Sequence, residues 1–357
     1  MITISLCMIV KNEESVLARC LDSVKCIVDE IIIVDTGSND RTKEIANTYT
    51  QQVFNFNWIN DFSAARNFSF SKATKQYQMW LDADDVVSKE DCEKILQLKK
   101  DLDTDTDIVT FKYNTHFDKY NTPILTSTRE RLFKTSNNYK WNDPIHEYIE
   151  LSGKIYYAND IYIAHKKESS YTDRNLKIYE NQIKEGKKLS PRGTYYFARE
   201  LKDHARYIEA ISYFNQFLED KLGWVEDNIA SCYNIAICEK TLNNQKKAFK
   251  SLLRSFEYNP PRAEITSEIG YYYMDLMDYE KASKWFLLSI SLEKSNTLGF
   301  LLNDYWDFIP NIELAVCYYK LGDIEKAIKH NELAAKYKPD SELILYNRNF
   351  FSTLKQA

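Results

Sequence analysis

Glycine is scarce in this chain, with 8 in 357 residues, and none is arranged as G-x-G-x-x-G or G-x-x-x-x-G-K-[ST]. A dinucleotide fingerprint and a P-loop are therefore excluded, and whatever binds is held mainly by side chains. The 7 cysteines form no C-x-x-C pair; unpatterned thiols without an export signal read as reduced, mostly buried residues of a cytoplasmic protein. No window approaches the roughly 18 apolar residues of a membrane span, and the start lacks a signal peptide's basic and apolar regions. Basic excess is missing too: the net charge of −5 offers no patch for nucleic acid.

What is present divides the chain in two. Up to about residue 165, short apolar runs alternate with helical spacing. ITISLCMIV (2–10) and EIIIVD (30–35) are continuous apolar segments of the kind buried on both faces of a parallel sheet. Between them Val16, Leu17, Cys20, Leu21 and Val24 share one helical face. QMWLD (78–82) and DIVTFKY (107–113) read as further strands. The alternation predicts an α/β sheet with a ligand crevice at the strands' carboxyl ends.

From about residue 170 the pattern is helical and repetitive. Ala198, Ala236, Gly270 and Ala315 are each followed twelve residues later by Ala210, Ala248, Ala282 and Ala327, after the entries RYIEA, NQKKA, DYEKA and DIEKA. Phe214, Leu252 and Phe286 come four residues further on, with Asn331 the exception. Small residues near a 34-residue period are the tetratricopeptide signature. The offsets of 38, 34 and 45 make the array irregular, and SNTLGFLLNDYWDF (295–308) reads as an insertion, an extended first helix or a loop. The predicted layout is a catalytic domain over 1–170, a connecting helix or linker over 171–193, and repeats over 194–357.

The strand ending YQMWLDADDVV (77–87) carries Asp82, Asp84 and Asp85. As an EF-hand, a loop starting at Asp82 finds Glu93 at its twelfth position but fails at Val86 and lacks the sixth-position glycine. Capping of a helix over Ser88–Leu98 accounts for Asp85 and Ser88 but not for the pair Asp82 and Asp84. Those two, at i and i+2 on a turn, are suited to a hard cation whose open positions take diphosphate oxygens.

Around this pair stand Val10-Lys11-Asn12-Glu13, Val34-Asp35-Thr36-Gly37-Ser38, Asn60-Asp61-Phe62-Ser63-Ala64-Ala65-Arg66-Asn67, Trp141-Asn142-Asp143-Pro144-Ile145-His146-Glu147 and Ile163-Ala164-His165. That order resembles family 2 glycosyltransferases of the GT-A fold. In particular it is similar to the peptide S-glycosyltransferases of glycosylated bacteriocins (glycocins, sublancin-type), which pair this domain with tetratricopeptide-like repeats. The resemblance implies an α/β GT-A nucleotide-diphospho-sugar transferase domain followed by an all-α tetratricopeptide-like domain. It implies a UDP-sugar donor, glucose or N-acetylglucosamine, and Mg²⁺ or Mn²⁺ as cofactor. Asp82, Asp84 and His165 match the metal-site positions, and Lys11, Glu13, Asp35, Asp61, Arg66, Asp82 and Asp84 the donor-binding ones.

Each residue has a plainer alternative. Lys11 and Glu13 are equally suited to opening a helix as solvated charges. Asp35 can accept hydrogen bonds from a base edge or ribose, or cap the following turn, for which Ser38 and Asp40 compete. Asp61 is an N-cap candidate, Arg66 a partner for diphosphate or for Asp82 and Asp84, and His165 a ligand or a packing residue. Glu147 matches the general base of an inverting transfer, with Asp143 and His146 as alternatives. A thiol acceptor lowers the demand on any base. Trp141 is a sugar platform or core.

The expected partners are a UDP-sugar and a peptide or protein acceptor, modified on Cys or Ser/Thr and held partly by the repeats, with Tyr195, Tyr271, Tyr272 and Trp306 as gripping candidates. Self-association into a homo-oligomer is the other use for the repeats. Competing readings are a cell-envelope or lipopolysaccharide-type glycosyltransferase and an inactive repeat scaffold.

Overall fold

The structure is a computed structural model that describes residues 1–119, 121–166, 173–294 and 299–354. The chain divides into two compact units, one covering Met1–Gly193 and a second taking in the helices from Thr194 on. The predicted boundary at 170, and the first two residues of the predicted linker, lie outside the described residues.

The first unit is a mixed α/β sheet built from β1 (Ile4–Val10), α1 (Leu17–Val24), β2 (Glu30–Asp35), α2 (Thr42–Tyr49), β3 (Val53–Asn55), α3 (Phe62–Phe70), β4 (Tyr77–Trp80), β5 (Asp85–Val87), α4 (Lys89–Asp101), β6 (Ile108–Phe117), β7 (Pro123–Lys134), β8 (Trp141–Asn142), β9 (Tyr148–Ile149), β10 (Ile155–His165) and α5 (Arg174–Lys184). Its main sheet runs β3-β2-β1-β4-β7-β6-β10-β5. The apolar runs form β1 and β2, third and second in that order, and both faces of these strands are covered. Ile4, Leu6 and Met8 pack with α1 and α4 on one side, and Cys7 packs with Phe70, Trp80 and Trp141 on the other.

Topology then places the acids. β1 is parallel to both β2 and β4, so their carboxyl ends open at one edge, with Val10 level with Asp35. This is the crevice position for an open α/β sheet. β5 turns back antiparallel to β10, which brings His165 opposite Asp85 across 80 residues of chain.

Several expectations about elements are adjusted. α1 begins at Leu17, with Glu13 accepting backbone hydrogen bonds from Val16 and Leu17 in the turn before it. Ser88 caps α4 by accepting from Asp91 N at 3.1 Å, but Asp85 takes no part in that cap. Asp85 instead starts β5 and is fully buried.

The second unit is helical apart from the two-residue strand Leu301–Leu302: α6 (Pro191–Asp203), which enters it from the first unit, then α7 (Tyr207–Asp220), α8 (Val225–Thr241), α9 (Gln245–Arg254), α10 (Ala263–Asp275), α11 (Tyr279–Ser291), α12 (Phe308–Lys320), α13 (Ile324–Ala335) and α14 (Glu342–Leu354). Every small residue of the repeat pattern is buried. A Cβ on Gly270 would stand 2.8 Å from the ring of Phe286, so only glycine lets that ring close the α10–α11 pair. Asn331, the exception at the large position, is buried and accepts from Asn347 Nδ2 of α14 at 3.0 Å. Within the insertion, 295–298 lie outside the described residues, and Phe308 already begins α12. Tyr195 and Trp306 are buried and cannot grip a ligand; Tyr195 packs on Phe214 and Phe217. Tyr271 and Tyr272 are partly exposed.

Candidate active site

At the crevice, Arg66 is the organising side chain. It projects from α3, whose start is fixed by Asp61: that carboxylate accepts from Ala64 N at 3.0 Å and Ser63 Oγ at 2.7 Å. The helical cap is therefore the role the structure gives Asp61. One and a half turns on, the Arg66 guanidinium packs against the touching rings of Trp80 and Trp141, 4.8 and 5.0 Å from their centroids. It donates from Nη2 to Asp82 Oδ1 at 2.8 Å and from Nε to Glu147 Oε1 at 2.5 Å. A buried guanidinium packed on two aromatic rings and paired with two carboxylates is oriented before any ligand arrives. Trp141, 4 % exposed, is thus core and a support for Arg66 rather than an open sugar platform.

The acidic turn has a division of labour. Asp85 accepts from Tyr113 Oη at 2.8 Å, from Asp82 N at 3.1 Å and from Arg131 Nη1 at 3.2 Å, with neither Asp85 nor Arg131 exposed. Asp85 and Asp84 both meet His165 Nδ1, at 3.1 and 3.2 Å. The backbone of Asp84 also accepts from Lys166 N at 2.9 Å. Burial alone would lower the His165 pKa, but the hydrogen bonds and charges of Asp84 and Asp85 prevail and raise it to about 10. Burial likewise disfavours a charged Asp82, yet Arg66 and then His165 hold its carboxyl at about 2. Glu13 goes the other way. Burial, then the negative charges of Asp84 and Asp82, push it up to about 7, with Arg174 opposing.

A cation fits this donor set. Asp82, Asp85 and His165 bring potential ligand atoms within 4.8 Å of one another. Carboxylate oxygens with one imidazole nitrogen suit Mn²⁺, and the carboxylates alone suit Mg²⁺. Asp85 has both oxygens committed and no exposure, so it orients the others, while Asp82 and Asp84 keep partial access. With Nδ1 directed at carboxylates, Nε2 is the ring nitrogen left for a ligand.

The donor side is equally local. Asp35 Oδ1 accepts from Gly37 N and Ser38 N at 2.9 and 3.0 Å and lies 3.3 Å from Lys43 Nζ. The turn-capping role is thus present. The other oxygen, Oδ2, is buried and has no hydrogen-bond partner among the described residues, which leaves an acceptor to be satisfied. Asn12 ties the neighbouring loops, donating from N to Ser38 Oγ at 3.0 Å and accepting from Asn39 N at 2.8 Å. Lys11 is exposed at the end of β1.

Asp143 and His146 are not brought to Asp82. Asp143 Oδ2 accepts from Ser190 Oγ at 2.7 Å, and the carbonyl of His146 accepts from Arg192 Nε at 3.0 Å. Of the three candidates for a base, Glu147 is joined to the acidic turn, through Arg66. Sequence reasoning missed Arg131 and Tyr113 and gave Asp85 a capping role. Arg131 stands among Arg129, Glu130 and Lys134, where a charge-rich strand reads as exposed; the signal available was its place next to the apolar Leu132-Phe133 pair.

Residues 5–151 match the family model Glycosyl transferase family 2, and 264–296 and 311–341 match Tetratricopeptide repeat. A TPR repeat-containing protein of Synechococcus elongatus is 36% identical over 152 residues, 43% of this chain and 36% of that protein. The SPbeta prophage-derived glycosyltransferase SunS of Bacillus subtilis is 28% identical over 232 residues, 61% of this chain and 54% of SunS. An uncharacterized glycosyltransferase of Rickettsia typhi is 38% identical over 87 residues, 24% of this chain and 30% of that protein. The chain thus spans about half, or less, of the length of these relatives.

Proposed function

We propose that this chain, in which a family 2 glycosyltransferase domain is followed by tetratricopeptide repeats, transfers a sugar from a UDP-sugar to Cys or Ser/Thr of a peptide or protein, with inversion. The observation that carries the reading is the Arg66 bridge, one cation binding both Asp82 and Glu147 at the crevice edge. It puts a carboxylate able to take a proton beside the acids that face the donor.

In this reading Asp35 Oδ2 accepts from the uracil or a ribose hydroxyl, which supplies its missing partner. Asp82 and Asp84, with His165, hold Mg²⁺ or Mn²⁺, which supplies positive charge against the diphosphate. Glu147 takes the proton from the acceptor hydroxyl or thiol through the oxygen that Arg66 leaves open, as the acceptor attacks the anomeric carbon. The bond from that carbon to the diphosphate oxygen breaks and UDP departs with the electron pair. Arg66 keeps Glu147 oriented and adds positive charge close to the leaving group. The repeats add surface for an extended partner.

Intact-mass analysis of candidate peptides incubated with the chain and a panel of UDP-sugars tests this. A hexose or N-acetylhexosamine increment on a Cys, Ser or Thr is the expected result. Increments on glycans or lipid-linked sugars with none on peptides would favour a cell-envelope role.

A further inference from the structure

A cavity of about 790 Å³ lies within the first unit, lined by residues that do not include the acidic turn. Its volume is in the range of ordinary ligand sites. We infer that it binds the main chain of the acceptor peptide beside the residue to be modified. The inference rests on the glycosyltransferase reading for the word acceptor, but the cavity itself is argued from its walls.

Two of those walls are the segments that carry the proposed chemistry. Asn60 and Asp61 precede α3, six and five residues before Arg66, which is roughly 8 Å along a helix. Asp143, Pro144 and Ile145 come four, three and two residues before Glu147. A chain lying in the cavity is therefore within a few residues' reach of both ends of the Arg66–Glu147 contact. The third wall is α5 and the segment after it, including Asn181, Gln182 and Ser190.

The loop that forms the second wall is tethered on both sides. Asp143 and His146 have φ of +63° and +52°, left-handed values that non-glycine residues keep only when their surroundings impose them. Ser190 holds Asp143, Arg192 holds the His146 carbonyl, and Phe62 N donates to Pro144 O at 2.9 Å. This accounts for Asp143 and His146, which the sequence marks but the acidic turn does not use: they shape the acceptor side.

The lining chemistry selects the occupant. Asn60, Asn181 and Gln182 offer paired amide donors and acceptors, the complement of a peptide main chain. The lining lacks an open aromatic face, the common platform for a sugar ring: its aromatic residue, Tyr179, is 2 % exposed and stacks on His146. A lipid tail would call for a continuous apolar lining, and here Ile59, Ile145, Ile178 and Leu189 are interrupted by Asp143, Glu185 and Lys187.

Methyl NMR of the full chain tests the assignment without turnover. Ile59 and Ile178 line the cavity, and Ile344 in the second unit serves as the distant reference. The probes are a pool of short synthetic peptides containing Cys, Ser or Thr, a maltooligosaccharide mixture, and dodecyl phosphate. We expect the peptide pool to shift Ile59 and Ile178 and the other two probes to leave them in place. Gln182→Trp, on the partly exposed face of α5, should weaken that peptide response at least about tenfold while the Ile344 methyl stays in place. No shift with peptides, an equal or larger shift with the saccharides or dodecyl phosphate, or a Gln182→Trp chain that binds peptides normally would overturn the assignment. Failure of the wild type to release UDP from any UDP-sugar would instead defeat the glycosyltransferase reading, whatever the methyls report.

Discussion

Arg66 Nε and Glu147 Oε1 are 2.5 Å apart across 81 residues of chain, with the arginine side chain 8 % and the glutamate 12 % exposed. The contact links α3 to the loop ahead of β9, and the same guanidinium reaches Asp82.

Exchanging the carboxylate for an amide at this point separates chemistry from architecture. Glu147→Gln keeps the shape and an oxygen for Arg66 but cannot accept a proton as a carboxylate does. Transfer to a hydroxyl acceptor should fall roughly 10²–10⁴-fold with donor affinity little changed. A near-normal rate on that acceptor would remove Glu147 as the base.

The pair Arg131–Asp85 predicts a stability effect. Removing one partner of a fully buried ion pair leaves the other uncompensated and costs on the order of 3–5 kcal/mol. Arg131→Leu should lower the first unit's unfolding temperature by on the order of 10 °C, because Asp85 then keeps only its neutral and His165 contacts. An unchanged melting curve would show that the pair is not the anchor of the acidic turn.

These two residues also mark the limit of what sequence could tell. The sheet, the repeats and the set of site segments were legible, since they depend on local apolar spacing, small residues at fixed intervals and motif order. Legibility ended where meaning depends on contacts distant in sequence. Asp85 reads as a helix cap until β5 is seen paired with β10, and Arg131 reads as a surface charge until Trp80 and Tyr113 are found 3.9 and 4.3 Å from its guanidinium. Tyr195 and Trp306 looked like gripping surface because an aromatic on an amphipathic helix has no label for inside or outside.

A pH dependence follows from Glu264 in α10. Burial raises its pKa from 4.5 to about 7, and Glu226 adds to this while Arg262 opposes. One of its oxygens is buried with no hydrogen-bond partner among the described residues. The folded state prefers the protonated form, so this contribution to stability is complete below about pH 4.5 and lost as pH rises through about 7. Glu264→Gln should therefore melt higher than the wild type near pH 8, with the gap closing toward about pH 5. An equal gap at both pH values would mean that the titration of Glu264 is not its source.

The central claim is that Asp82 and Asp84 serve a cation that faces the donor diphosphate. The most direct measurement is UDP release from UDP-glucose and UDP-N-acetylglucosamine by the wild type and by Asp84→Ala, each with Mn²⁺ and with EDTA. The account predicts release by the wild type on at least one donor, lost with EDTA, lost in Asp84→Ala, and accompanied in that variant by weaker Mn²⁺-dependent UDP binding on an intact fold. Release that survives EDTA, or an Asp84→Ala chain that binds and turns over the donor as the wild type does, would contradict it.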